Sequence, residues 1–256
     1  MKEDKVTIPL LHKMKKESQK ITMLTAYDYP FALLIDKCGI EIILVGDSVG
    51  NVVLGYESTV GVTMDEMIHH TKAVRRAVKR AFLIGDMPFM SYNISIQEAV
   101  RNAGRFMKEA GCDAVKLEGG FDVCDTASAI VKAGIPVLGH IGLTPQTVSK
   151  LGGYKVQGRL AKEAERLIDS AVELEKAGCF AIVLECLPEE LARIITKKLS
   201  IPTIGIGAGL YCDGQVLVIH DLLGITTGFR PKFVKNYANL SDEILQAINN
   251  FKEEVK

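Results

Sequence analysis

Acidic side chains follow a series of apolar segments, each at the point where the segment ends. The runs LVGDS, LIGDMP and VKLEGG place Asp47, Asp86 and Glu118 at such ends, and VLEC adds Glu185. Carboxylates crowded into one site repel each other unless a cation or a proton lies among them. The all-oxygen set of Asp47, Asp86 and Glu118 suits Mg2+ better than Zn2+. The pattern therefore predicts a divalent metal site; for each acid taken singly, capping of the following helix is the alternative.

Two basic side chains and a hydroxyl accompany these acids. Lys116 precedes Glu118 by two residues, so both side chains fall on the same face of one strand. Dense acid nearby favours a charged lysine that holds a carboxylate, and a Schiff base with a carbonyl substrate is the alternative. His140, in GHIG, and Ser48, directly after Asp47, also lie at strand ends. We therefore include all three in the predicted site.

Three further features give weaker signals. The run GIGAG at 205–209 is neither a full GxGxxG motif nor a Walker loop, so it indicates either close backbone packing or amides open to an anionic group. His69 and His70 fall inside a predicted helix, which favours a structural or interface role. The six cysteines form no CxxC pair, and most adjoin apolar segments. We interpret them as reduced core thiols.

The elements that must position these residues are short, almost continuously apolar runs separated by helical patterns. Such runs are typical of parallel strands that helices cover on both faces. The helical patterns cover 64–79, 95–110, 160–177 and 188–199, and Thr63 with Glu66 matches a capping box. The eight predicted strands are ITMLTA (21–26), IILVG (42–46), FLIGDM (82–87), AVKLEG (114–119), PVLGHIG (136–142), FAIVLEC (180–186), PTIGIGAG (202–209) and QVLVIHDLL (215–223).

Eight strands in 256 residues favour an α/β fold that is a single (β/α)8 barrel. Since no Pro- or Ser-rich linker divides the chain, we expect one domain over 1–256, with an N-terminal extension over about 1–20 and a C-terminal helix over about 241–253. Residues 143–158 lack an apolar period and predict a long loop over the barrel mouth. In such barrels the strand C-termini meet on one face, where active sites lie.

Composition and charge exclude several kinds of partner. Lys plus Arg and Asp plus Glu both number 31, so no cationic field attracts nucleic acid. The start of the chain is charged throughout and does not resemble a secretory signal. No apolar run has the length of a membrane span. We therefore expect a cytoplasmic protein that binds neither nucleic acid nor membrane.

Taken together, the quoted runs resemble one enzyme family. TAYDYPFA, LVGDSVGNVVLGYEST, GDMPFMSY, AVKLEGG and GHIGLTPQ are similar to ketopantoate hydroxymethyltransferases, and GGYKVQGR, VLECLP, PTIGIGAG, DGQVLVIHDLLGI and PKFVKNY extend the resemblance to about residue 237. The final NLSDEILQAINNFKEEVK is shorter than the tail of some relatives, which leaves tail contacts open.

The resemblance implies a Mg2+-dependent barrel enzyme of pantothenate and coenzyme A biosynthesis. It would transfer a hydroxymethyl unit from 5,10-methylenetetrahydrofolate to 3-methyl-2-oxobutanoate through a Mg2+-stabilised enolate, giving 2-dehydropantoate (ketopantoate). The family forms large homo-oligomers, typically decamers. The implied roles are metal binding by Asp47, Asp86 and Glu118, directly or through water; oxo acid binding by Asp47, Ser48, Asp86 and Lys116, with His140 nearby; and general base catalysis by Glu185.

Two other functions remain open from the residues. The first is a Mg2+-dependent lyase or mutase similar to the phosphoenolpyruvate mutase and isocitrate lyase group. Such enzymes commonly use a mobile loop with a catalytic cysteine, and the chain has no KKCG-like loop. The second is a noncatalytic metabolite-binding barrel, which a broken set of site residues would indicate; here the acids and Lys116 are all present.

Overall fold

A computed structural model describes residues 4–151, 153, 155–225 and 234–256. Eight strands pair side by side in sequence order and close into a barrel, and the registers are parallel. This confirms the predicted (β/α)8 fold. The strands are β1 (Ile21–Thr25), β2 (Ile42–Val45), β3 (Phe82–Asp86), β4 (Ala114–Glu118), β5 (Val137–Gly142), β6 (Ala181–Glu185), β7 (Thr203–Ile206) and β8 (Gly214–Leu217).

Helices alternate with the strands along most of the chain. The four helical patterns are confirmed as α4, α5, α8 and α9, and Thr63 and Glu66 form the predicted capping box. A π-helical turn, Phe106–Ala110, continues α5. The helices are α1 (Ile8–Lys16), α2 (Tyr29–Lys37), α3 (Val49–Val52), α4 (Met64–Ala77), α5 (Ile96–Arg105), α6 (Cys124–Lys132), α7 (Val148–Leu151), α8 (Ala161–Lys176), α9 (Glu189–Lys198), α10 (Ile219–Leu223) and α11 (Leu240–Val255).

Alternate residues of each strand form the core. Leu11 and Met14 of α1 join the same apolar cluster. Full burial of one large apolar side chain contributes roughly 1.5–3 kcal/mol, so this layer stabilises the frame on which polar residues are held. The strand residues of the cluster are Ile21, Met23, Ile42, Leu44, Phe82, Ile84, Ala114, Leu138, Ala181, Val183, Ile204 and Val216, and Phe180 directly precedes β6.

The last part of the barrel differs from the sequence prediction. The run 215–223 was predicted as one strand, but β8 ends at Leu217 and α10 occupies Ile219–Leu223. Gly224, with φ of 68°, caps that helix in the left-handed region. Between β7 and β8 the chain crosses without a helix among the described residues. The predicted loop 143–158 includes a 3-10 turn, Pro145–Thr147, and the short α7.

Contacts divide the chain into two compact units, Met1–Val216 and Leu217–Lys256. The first holds the core described above. Within the second, Tyr237 donates a backbone hydrogen bond to the Leu222 carbonyl at 2.9 Å, and the Ser241 hydroxyl donates to the Gly224 carbonyl at 2.7 Å. The expectation of one domain stays a prediction. No helix within the described part of the chain is long and apolar enough to cross a membrane.

Candidate metal and substrate site at the barrel mouth

The alternation that fills the core also brings the predicted site residues together. On β3 the inward position after Ile84 is Asp86, and on β4 the inward positions after Ala114 are Lys116 and Glu118. On β5 and β6, His140 and Glu185 follow Leu138 and Val183 in the same way. The strand registers place Asp86 beside Lys116 and Glu118 beside His140. Polar groups therefore replace the apolar layer at the C-terminal ends of the strands.

Lys116 lies between two carboxylates. Its Nζ donates to both oxygens of Asp86, at 2.7 and 2.8 Å, and lies 3.5 Å from Oε1 of Glu118. Burial lowers the pKa of Lys116, but the carboxylates of Asp86, Glu118 and Asp47 outweigh it and hold that pKa above its usual range. These contacts favour the charged form of Lys116, and its charged role stays a prediction.

His140 bridges two acids. Its Nδ1 lies 3.2 Å from Oε1 of Glu118, and its Nε2 lies 3.1 Å from Oε2 of Glu185. Neither contact has the alignment of a hydrogen bond, so we interpret both as close contacts between charges. Burial lowers the pKa of His140, but Glu118 outweighs it and the pKa rises to about 9. For Glu118, burial opposes ionisation, yet Lys116 and His140 lower its pKa to about 2.

Asp47 and Ser48 follow β2 on the same mouth. The Asp47 N–H donates to Oδ2 of Asp86 at 3.1 Å, and the Ser48 hydroxyl lies 2.7 Å from the hydroxyl of Tyr27. Burial raises the pKa of Asp47 well above its usual range, and the charges of Asp86 and Glu118 raise it further. Burial also raises the pKa of Asp86, against the opposing effect of Lys116. Further positive charge at this mouth would therefore favour the ionised forms of both acids.

The residues present fit a hard divalent cation. Four carboxyl groups (Asp47, Asp86, Glu118 and Glu185) face two basic groups (Lys116 and His140), an excess of two negative charges when all are ionised. In the described part of the chain, no three His, Cys, Asp or Glu side chains are arranged to hold one ion. Mg2+ commonly uses only one or two protein carboxylates and fills its remaining positions with water and substrate oxygens. Asp47 and Asp86 could form such a pair, since the Asp47 backbone N–H donates to Oδ2 of Asp86.

Sequence reasoning assigned no role to two residues of the site, Tyr92 and Gln146. The Tyr92 hydroxyl lies 3.2 Å from the backbone N of Glu118 and 2.6 Å from Oε1 of Gln146. The Gln146 amide donates to Oδ2 of Asp47 at 2.9 Å. Both residues lie in quoted runs, GDMPFMSY and GHIGLTPQ, that continue past a strand end. Their position just after a strand end is the sequence feature that could have indicated a role at the site.

The weaker sequence signals have structural explanations. Nδ1 of His70 lies 2.7 Å from the Tyr27 carbonyl oxygen, and the His69 and His70 rings meet edge to face. A Cβ on Gly209 would lie 2.3 Å from Cγ of Glu189, so close packing explains that part of GIGAG. All six cysteines are free, and Cys112, Cys179 and Cys212 are buried, but Cys38 is exposed, so the prediction of a core position is wrong for Cys38.

A separate groove lies at the opposite end of the barrel. It encloses about 400 Å3 and is lined by α1 and the residues that precede β5 and β6, among them Ile8, Ile135 and Phe180. Its lining contains no carboxyl side chain. Because its walls offer no charged pair that could bind or transform a substrate, we place the candidate site at the C-terminal mouth instead.

A closed parallel barrel with interacting acids and bases at its C-terminal mouth belongs to the (β/α)8 class, whose members place active sites there. The model of the ketopantoate hydroxymethyltransferase family matches residues 5–256, and the chain belongs to this family. It is an enzyme, and the resemblance seen in the sequence is confirmed.

Named relatives agree with this assignment. The chain is 60% identical over 252 residues to the 3-methyl-2-oxobutanoate hydroxymethyltransferase of Syntrophomonas wolfei, covering 98% of this chain and 91% of that protein. It is equally identical over 252 residues to the Moorella thermoacetica protein of the same name, covering 98% and 94%. A phosphoenolpyruvate phosphomutase structure from Streptomyces platensis matches with a TM-score of 0.63 at 14% identity, over 97% of this chain and 86% of that one. At that identity the match shows the fold alone.

Proposed function

We propose that this enzyme transfers a hydroxymethyl group from 5,10-methylenetetrahydrofolate to 3-methyl-2-oxobutanoate, forming 2-dehydropantoate for pantothenate and coenzyme A synthesis. Membership of the family and relatives of about 60% identity that carry this activity in their names support the reaction. The observation that carries the mechanism is the contact between His140 and Glu185, which links the acid cluster to one accessible carboxylate.

Asp47, Asp86 and Glu118 would hold Mg2+, directly or through water. Bound Mg2+ would polarise the keto group of the oxo acid and so lower the pKa of its C3 proton. Lys116, as a buried cation, would bind the substrate carboxylate together with Ser48, whose hydroxyl Tyr27 orients. The donor set of carboxylates is the one that a hard cation prefers.

Glu185 would remove the C3 proton. The Glu185 side chain is 16% exposed, whereas those of Glu118 and His140 are each 2% exposed. Of the two acids that contact His140, Glu185 is therefore the more open to a substrate. Since His140 Nε2 lies 3.1 Å from Oε2 of Glu185, Oε1 of Glu185 would be the oxygen that accepts the proton. Carbon C3 then forms a bond to the methylene carbon as the bonds from that carbon to the folate nitrogens break. One water supplies the new hydroxyl, and tetrahydrofolate is released.

The remaining expectations concern the whole protein. We propose that it is cytoplasmic and assembles into a homo-oligomer, a decamer by family resemblance. Nucleic acid and membranes are not partners in this proposal, in line with equal numbers of acidic and basic residues.

Proton NMR of 3-methyl-2-oxobutanoate in D2O tests the reaction and the base together. With the enzyme and Mg2+, we expect the C3 proton signal to disappear, and ketopantoate to form when methylenetetrahydrofolate is added. The Glu185→Gln variant should lose both, while Glu190→Gln, which changes an exposed acid paired with Arg193, should retain both. If folded, Mg2+-loaded enzyme gives neither exchange nor ketopantoate, the lyase or mutase hypothesis replaces this one. Exchange without ketopantoate would reject the folate donor alone.

A further inference from the structure

Gln146 connects the ends of three strands at the mouth. Its side chain is buried, with 3% of the residue exposed. The amide Nε2 donates to Oδ2 of Asp47 at 2.9 Å and to the Met87 carbonyl at 3.0 Å, while the backbone N–H donates to Oε2 of Glu118 at 3.2 Å. A single residue therefore hydrogen-bonds to two of the three acids predicted to bind metal.

The orientation of the Gln146 amide is determined by its partners. A carbonyl oxygen only accepts hydrogen bonds, so the amide nitrogen must face Met87, and Oε1 must face the other way. There Oε1 accepts from the Tyr92 hydroxyl at 2.6 Å. Since the Tyr92 proton is directed at Gln146, the Tyr92 oxygen accepts from the Glu118 N–H at 3.2 Å. Burial holds the pKa of Tyr92 above its usual range, which keeps this donor protonated.

These bonds distinguish the two oxygens of each acid. Oδ2 of Asp47 is bonded to Gln146, and no hydrogen bond from the described residues reaches Oδ1. Oε2 of Glu118 is bonded to the Gln146 N–H, so Oε1 is the oxygen that faces Lys116 and His140. Free carboxylates rotate readily between their equivalent oxygens, and the charge of Asp86 repels Asp47. A fixed donor to one oxygen therefore selects which oxygen is presented.

We propose that Gln146 and Tyr92 are positioning residues: the Gln146 amide turns Oδ1 of Asp47 towards the metal and the oxo acid, and the Tyr92 hydroxyl holds that amide in place. This inference rests on the proposed function, since it assigns Asp47 to the metal site. Partners that orient metal ligands in this way commonly change metal affinity by about 10- to 100-fold when they are removed.

Titration of metal-free protein with Mn2+, followed by electron paramagnetic resonance, measures the effect without turnover. Gln146→Met keeps the length of the side chain and removes its hydrogen bonds, and Tyr92→Phe removes only the hydroxyl. We expect the Mn2+ Kd to rise about 10- to 100-fold in Gln146→Met and by a smaller factor in Tyr92→Phe. In activity assays, the Mg2+ concentration for half-maximal rate should rise in parallel, and kcat at saturating Mg2+ should recover.

Two matched variants control for the loss of a hydrogen bond elsewhere. Tyr56→Phe removes a hydroxyl that donates to Glu66 at 2.6 Å, and Gln215→Met removes an amide that donates to the Gly209 carbonyl at 2.9 Å. Both should leave the Mn2+ Kd unchanged.

The outcomes separate this inference from the proposed function. Folded Gln146→Met and Tyr92→Phe proteins with the wild-type Mn2+ Kd would overturn the positioning role even if the wild type makes ketopantoate. Unfolding of both variants would also overturn it, because their role would then be structural. If the wild type binds Mn2+ but makes no ketopantoate, the proposed function fails, while the comparison of Kd values still decides the role of Gln146.

Discussion

At the scale of single residues, Lys116 supplies the positive charge that offsets the energetic cost of burying Asp86 and Glu118. Lys116→Met keeps the apolar stem and removes the charge, so Asp86 and Glu118 would stay buried without their partner. Breaking a buried ion pair in this way typically costs about 3–5 kcal/mol. We expect a loss of that size in the free energy of unfolding of the metal-free protein, measured by urea denaturation. Mg2+ should restore part of it, since the cation replaces the missing charge.

Lys176→Met is the matched control for this substitution. Lys176 also forms an ion pair, at 2.7 Å with Glu173, but its side chain is 65% exposed. Exposed pairs contribute far less than buried ones, because solvent and salt screen them. Equal losses in the two variants would show that the charge of Lys116 has no special role in the cluster.

Most residues of the candidate site are predictable because strands have a period of two. Once β3 to β6 are placed, the inward positions at their C-terminal ends must include Asp86, Lys116, Glu118, His140 and Glu185. Tyr92 and Gln146 lie in loops, which have no such period. Their side-chain directions follow from contacts with Asp47 and Glu118, and a single sequence does not contain these contacts.

At the scale of elements, Gly142 determines how closely β5 approaches β6 beside the proposed base. Its φ is 101°, and a Cβ there would lie 2.2 Å from the carbonyl oxygen of Glu185. Gly142→Ala must therefore either separate the strands or displace Glu185. We expect a loss of about 3 kcal/mol or more in unfolding free energy, with loss of C3 proton exchange.

Gly134→Ala tests the effect of backbone strain alone. Gly134 has a φ of 87°, but a Cβ there would meet no atom within 4 Å. The expected cost is about 1–2 kcal/mol, with exchange retained in the folded protein. If urea denaturation and NMR gave the same result for both variants, the contact between Gly142 and Glu185 would not matter for the site.

The elements themselves follow from the sequence where the apolar pattern is long. Helices α4, α5, α8 and α9 have clear apolar periods, α4 and α5 also have side-chain N-caps, and the structure confirms all four helices. The run 215–223 is short and apolar throughout, so its pattern does not distinguish strand from helix, and the structure divides it between β8 and α10. No helical pattern was predicted between β7 and β8, and the chain crosses there without a helix among the described residues.

At the scale of the whole molecule, the thiols differ in exposure and acidity. Cys38 is exposed, whereas burial raises the pKa of Cys179 and of Cys186 to about 12, and Glu185 adds to the shift at Cys186. Alkylation requires the thiolate, which is scarce below the pKa. At about pH 8, iodoacetamide should label Cys38 and spare Cys179 and Cys186, with labelling of Cys186 increasing as the pH rises towards its pKa.

Peptide mass spectrometry of the labelled protein measures these sites separately, and Cys38→Ser should remove the early label. Enzyme labelled at Cys38 should stay active. Rapid labelling of Cys186 with loss of turnover would instead indicate a reactive cysteine beside Glu185, as the lyase or mutase hypothesis expects.

The second unit exposes an apolar stripe on α11. Ile244, Ile248, Phe251 and Val255 share one helix face and are 44–69% exposed, and no residue of α11 is buried. A continuous apolar face of this kind marks an association surface.

We expect the wild type to be an oligomer by light scattering, and Ile248→Glu with Phe251→Glu to lower its mass. Gln246→Glu with Asn250→Glu changes a hydrogen-bonded pair off the stripe and should keep the wild-type mass. A monomeric wild type would contradict the proposed assembly, whereas an unchanged mass in the stripe variant would place the contact elsewhere.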